Sequence, residues 1–175
     1  MKSLYKQFFK SSMRILVSLF ISFLGLQHVS AATISSTSTG GNWADASTWV
    51  GGVLPTSSDD VIIVAGATVV VRSPYTLSPL NPATCNSLTV DGTLIMGIGS
   101  GGSRYLQVSN ALIINPGGVV TNDEVTLHRI GVGGDFINDG TFNSLIGAGS
   151  IQLVLNGTGA QIIGGTPTSQ SFETL

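Results

Sequence analysis

The side chains of this chain that could do chemistry are few, and they fall into three groups. Carboxylates occur as Asp59/Asp60, Asp123/Glu124 and Asp135/Asp139. Paired acids are what glycoside hydrolysis uses for proton transfer and attack, and clustered carboxylates are what calcium takes as ligands. Nucleophile chemistry would have to draw on His128, followed by Arg129, and on Cys85, the one cysteine. Ser, His and Asp are all present, but no Gly-x-Ser-x-Gly elbow presents a serine. The third group is Trp43 and Trp49, the only tryptophans, whose faces could stack on pyranose rings or close the end of a core.

Each group has a structural alternative that fits its local sequence better. Asp59 and Asp60 stand before the first β-branched run and read as turn formers. Asp123/Glu124 follow Asn122 in a turn, and Asp139 precedes Gly140 in an Asp-Gly turn. The Gly/Asp repeat of calcium-binding β-rolls is absent. His128 lies in an alternating run and is expected on a strand surface, with Arg129 covering that surface. Cys85 cannot close an intramolecular disulfide and is expected to pack as a small hydrophobe. Trp43 and Trp49 are expected in a cap, and Asn156-Gly157-Thr158 reads as a turn rather than a glycosylation acceptor. The expectation is therefore no catalytic, cofactor-binding or metal-ligating residue, and no cofactor.

At the start of the chain, Lys2, Lys6, Lys10 and Arg14 precede an apolar run from Ile15 to Leu26, and Val29-Ser30-Ala31-Ala32 supplies small residues. This is the pattern of a cleaved signal peptide over residues 1–32. The run is shorter than the roughly 20 residues a membrane span needs. The expected location is secreted, extracellular or cell-surface, without membrane insertion once the leader is removed. Three arginines, Arg72, Arg104 and Arg129, then face all nine acidic residues, giving net charge −6 and no lysine. Nucleic acid is excluded as a partner, because its binding draws on clustered Lys and Arg.

Beyond residue 60 the sequence is a series of three- to five-residue β-prone runs separated by Gly, Asn, Asp and Pro, with no helical period. They begin with Val61–Val64 and Thr68–Val71, include Val125–His128, and end with Gln161–Ile163. Three segments share one plan, an aliphatic or aromatic start, Asn or Asp with Gly, and a second strand; they begin at Leu88, Leu112 and Phe136. The interval is 24 residues both times, within the range of stacked coils. The fold expected is all-β, a right-handed parallel β-helix with an N-terminal Trp-containing cap, the alternative being a β-sandwich. Period-2 alternation points Leu88, Val90, Leu106, Val108, Leu112, Ile114, Val125, Leu127, Phe136, Phe142, Ile151, Leu153, Leu155 and Ile162 inward. The domain reading is 1–32 leader, 33–60 cap and entrance, 61–175 coils.

On these residues the chain resembles the N-terminal β-helical module of large secreted or surface proteins from Gram-negative bacteria that use type IX secretion. The entrance block carries most of the likeness: Gly41-Asn42-Trp43, Thr48-Trp49, Gly51-Gly52, Pro55 and Asp59-Asp60-Val61-Ile62-Ile63. The rungs Gly134–Phe142, Leu155–Thr158, Gln161–Gly165 and Phe172–Leu175 extend it. It is also similar to the eight-glycine extracellular domain. Such modules continue for hundreds of residues to a sorting domain, so the resemblance implies a fragment or a truncated gene here.

The function expected is a non-catalytic structural or adhesive module. The alternatives are a carbohydrate-binding module, needing exposed Trp or Tyr on one face, and a remnant of a polysaccharide-active enzyme, needing a carboxylate pair beside a base. A binder of ice-like or crystal surfaces would need ranks of threonine, and the threonines here are irregular in sequence. Partners expected are extracellular polysaccharide or other surface proteins, with end-to-end self-association from the strand-like C-terminus.

Overall fold

The computed structural model describes residues 31–72, 74–76, 81–97, 102–122, 126–146 and 149–171, and at 145 and 146 the backbone only. The leader expectation, the turn at Asp123/Glu124, Val125 and the run Phe172–Leu175 fall outside these residues. The described residues belong to the unit that begins at Ala31.

Short β-branched runs interrupted by Gly, Asn and Asp cannot form long hairpins, but they can form the sides of a coil. The first coil contributes β1 (Thr33–Ser35) and β2 (Gly40–Asn42). The second contributes β3 (Asp60–Ile63), β4 (Thr68–Val71) and β5 (Ala83–Cys85), and the third β6 (Leu88–Val90), β7 (Thr93–Met96) and β8 (Tyr105–Val108). The fourth has β9 (Leu112–Ile114), β10 (Val119–Asn122) and β11 (Leu127–Val132). The fifth has β12 (Phe136–Asn138), β13 (Thr141–Asn143), the short β14 (Leu145–Ile146) and β15 (Gly149–Leu155), and the last β16 (Ile163–Gly164) and β17 (Ser169–Ser171).

Strands stack by position in the coil into three sheets. The first runs β1-β3-β6-β9-β12-β16, the second β2-β4-β7-β10-β13-β17, and the third β5-β8-β11-β15 with β14 on its edge. Among the described strands every pairing between coils is parallel, and β14 with β15, inside one coil, is the antiparallel strand pair. The molecule is thus all-β, a parallel β-solenoid, and the sandwich alternative is excluded by the pairing.

Like positions stack, which makes the core a set of columns. In the first sheet Val61 lies against Leu88, Leu88 against Leu112, Leu112 against Phe136 and Phe136 against Ile163. The two 24-residue intervals of the sequence are this column. In the third sheet Cys85, Val108, Val132 and Leu155 form another. Leu88, Leu112, Phe136 and Val108 are fully buried, and each such side chain contributes roughly 1.5–3 kcal/mol of transfer free energy. Phe136 and Phe142 meet edge to face, centroids 5.3 Å apart.

Two of the inward assignments are wrong. Leu127 is 44% exposed and Ile162 61% exposed. β11 begins at Leu127 and carries His128, Ile130 and Val132 inside, one residue out of phase with the expected run. In the last coil it is Ile163 that takes the inward position above Phe136, and it stays exposed because no described strand lies beyond β16.

The opposite end is closed. A 3₁₀ turn at Ala46–Thr48 folds the chain back so that Trp49 bridges Ser36 antiparallel. Two backbone bonds run along the same edge, Thr37 N to Thr48 O at 2.7 Å and Val50 N to Ser35 O at 2.9 Å. Trp43 and Trp49, both buried, meet edge to face at 5.0 Å, and Trp49 Nε1 donates to the Trp43 carbonyl at 2.9 Å. An apolar column that would otherwise end in water is covered by two indoles.

Candidate functional site

The carboxylates are held by backbone and amide donors. Asp59 accepts from Thr56 Oγ1 at 2.6 Å, Thr56 N at 2.9 Å and Ala32 N at 3.3 Å. The Thr56 hydroxyl foremost holds its carboxyl below the ordinary value, burial opposing only in part. Asp60 Oδ1 accepts from Asn86 Nδ2 of the next coil at 2.8 Å, and Asp91 Oδ1 from Asn115 Nδ2 at 2.7 Å. Asp135 Oδ1 takes the Ile162 N–H at 2.8 Å, and Asp139 Oδ1 takes the N–H and hydroxyl of Thr166 at 2.7 and 3.0 Å. Asp59 closes a local turn with Thr56, whereas Asp60, Asp91, Asp135 and Asp139, where turn formation or nothing was expected, join one coil to the next.

Asp135 and Asp139 flank β12, and each carboxylate is engaged by a different backbone N–H of the following coil, that of Ile162 and that of Thr166. Among the described residues no three His, Cys, Asp or Glu side chains form a metal-sized group.

His128 is not on the surface: it is completely buried. Its Nδ1 accepts the Arg104 N–H at 3.0 Å, which puts the ring hydrogen of the neutral form on Nε2, 3.1 Å from the Thr126 hydroxyl. The ring therefore secures the start of β11 to the coil below. Cys85 is also sealed; burial pushes its thiol far up, with Asp60 adding to the shift, so the thiolate that would react is disfavoured. The tryptophans, being buried, offer no sugar platform. Of the tyrosines described, Tyr75 is half-buried and Tyr105 is 8% exposed.

The side chains that sequence reasoning passed over lie on the third sheet. Arg104 is 5% exposed. The alternation that sends Leu106 and Val108 inward also sends Arg104 inward, so the signal was present in the pattern. Its Nη1 donates to the Tyr75 carbonyl at 3.2 Å, while its Nε is buried without an acceptor.

One residue on, the outward face begins. Tyr105, Arg129 and Gln152 stack in one row, and Thr84, Gln107, Gly131 and Val154 in the next. Arg129 Nε donates to Gln152 Oε1 at 2.9 Å. The Tyr105 hydroxyl bonds Gln107 Oε1, which also accepts from Asn156 Nδ2 at 2.9 Å. Gln107 reaches Asn156 by lying across Gly131, where a Cβ would come within 2.9 Å of the Tyr105 hydroxyl and closer still to Gln107 Oε1. The result is a face of interlocked planar amides with one guanidinium among them. A scan against protein-family models and searches of curated proteins and of solved structures return no match to this chain.

Proposed function

We propose that this chain is a non-catalytic structural or adhesive module of an exported protein, a β-solenoid that supplies length and outward-facing sheet surface. One observation carries the reading: among the described residues, the carboxylates and the histidine able to do chemistry are used to hold coils together. Asp60, Asp91, Asp135 and Asp139 accept from neighbouring coils, and His128 is fully enclosed. The basic, apolar and small-residue runs of positions 1–32 support export. The resemblance to surface modules of type IX-secreting bacteria supports a place at or outside the cell envelope.

Expression in a Gram-negative host with and without residues 1–32, followed by fractionation and N-terminal sequencing, tests the export half. The expected result is a product beginning at Ala32 or Thr33 outside the cytoplasm, dependent on the leader. An uncleaved cytoplasmic product would contradict it. A polysaccharide panel tests the other half: turnover abolished by Asp60→Asn or Asp135→Asn would make those carboxylates catalytic and overturn the structural assignment.

A further inference from the structure

We infer that the outward face of the third sheet binds an acidic polysaccharide, with the Arg129 guanidinium taking the carboxylate of a sugar unit. The inference rests on the adhesive reading above and names its ligand class. Its ground is the placement of charge. Past residue 32 the chain carries three cations against nine acids, yet two of the three lie in adjacent coils here, Arg104 at the entry to β8 and Arg129 within β11, joined by the bond from Arg129 N to Arg104 O at 2.9 Å. The strands β5, β8, β11, β14 and β15 contain no Asp or Glu. Arg104, nearly enclosed, has no carboxylate partner among the described residues, its Nη1 donating to the Tyr75 carbonyl.

Arg129 is set up to receive an oxyanion. Its Nε is fixed by Gln152, which orients the planar fork, and no described group accepts from either Nη. A guanidinium held this way meets a carboxylate with two parallel bonds, which an ammonium cannot do. Arg129 stands in register between Tyr105 of the preceding coil and Gln152 of the following one, and beside it the Gln107 and Asn156 amides are bonded to one another, a fixed polar surround for sugar hydroxyls. On this face the one aromatic ring is Tyr105, 8% exposed, so the recognition is ionic and polar rather than stacking on neutral rings.

The test uses the full purified chain and three immobilised probes: polygalacturonate, neutral dextran and dextran sulfate. Binding to polygalacturonate that weakens with salt, without binding to dextran, is expected. Arg129→Gln should weaken it roughly ten- to hundredfold, the range for a lost charge-assisted bond, and Arg129→Lys should restore only part of it. Because the side chain faces outward, both variants should keep the wild-type melting profile. Equal binding of Arg129→Gln and wild type, equal binding to dextran, or tighter binding to dextran sulfate with Arg129→Lys unchanged would each overturn the inference. Asp123→Asn/Glu124→Gln is a further arm: if it leaves affinity unaltered the inference stands, and if it sharply raises affinity those acids already occupy the cations and the inference fails. An exported protein that ignores polygalacturonate would refute this inference alone, whereas a protein retained in the cytoplasm would refute the functional reading whatever it binds.

Discussion

Replacing Gly118 by alanine should be among the most damaging one-carbon changes in the molecule, and the reason lies one coil below. Gly118 ends the corner between β9 and β10, where its N–H donates to Asn115 O at 2.8 Å and its own carbonyl takes the Thr141 N–H at 2.9 Å. An added Cβ would fall well inside 3.0 Å of the Val90 carbonyl oxygen, a separation that real Cβ atoms do not show. Relief requires the coils to part by about 1 Å where sheet spacing is only about 4.8 Å. That movement would strain the bonds from Val119 N to Gly92 O and from Asn115 N to Val90 O, 2.8 and 3.1 Å long. Overpacking costs about 1–3 kcal/mol and each weakened bond up to about 1 kcal/mol, so a loss of about 3–4 kcal/mol is expected. Two other glycines separate this cause from others. Gly117 has φ +89° with open space around its would-be Cβ, so Gly117→Ala should lose only the left-handed penalty of about 1–2 kcal/mol. Gly159 has neither constraint, and Gly159→Ala should be neutral. Urea unfolding of the three variants is the assay. A Gly118→Ala protein as stable as Gly117→Ala would refute the close stacking of the corners.

The cap, the core and the turns each give a further expected outcome. Trp49→Ala should cost about 3–5 kcal/mol, while Trp43→Phe should be milder than Trp49→Phe, since Trp43 Nε1 has no acceptor and Trp49 Nε1 has one; chemical denaturation followed by fluorescence compares them. The Cys85 thiol, enclosed and pushed up by burial, should resist a thiol reagent in the native protein and react fully in denaturant; rapid native labelling would contradict its burial. Asp59, its carboxyl lowered from 3.8 chiefly by the Thr56 hydroxyl, should contribute stability above that value and lose it as pH falls through the lower native one. The side chain is exposed, so the effect should be small, and acid titration of Asp59→Asn should show a shallower decline than wild type.

The fold was legible where stacking and alternation agree. Leu88, Leu112 and Phe136 advertise their column because the coils they begin are of equal length. His128 and Leu127 were misplaced because Gly131 and the glycines after it read as a break, so β11 was started early and in the wrong phase. Gly131 is instead a strand residue left bare to let Gln107 cross it. Ile162 and Ile163 are adjacent and chemically equivalent, and only the contact with Phe136 decides which faces inward. The threonines show the same limit: Thr68, Thr93, Val119, Thr141 and Ser169 form one row of the second sheet, although unequal corners make them irregular in sequence. The polar face of the third sheet was hidden for that reason also, since Tyr105, Arg129 and Gln152 become neighbours only through register.

The parallel register itself is tested most directly by a cross-link. Thr89 and Ile113 are paired on the outward side of β6 and β9, and Ile113 is paired with Ile137 of β12. In a Cys85→Ala background, cysteines at 89 and 113 would have Cα atoms about 4.8 Å apart, inside the roughly 4.4–6.8 Å that a disulfide spans. Cysteines at 89 and 137 would be two coils apart, about 10 Å, and beyond reach. Rapid oxidation of the first pair with none of the second is the predicted result. Bridging of 89 to 137, or failure of 89 to 113 in a folded protein, would contradict the solenoid.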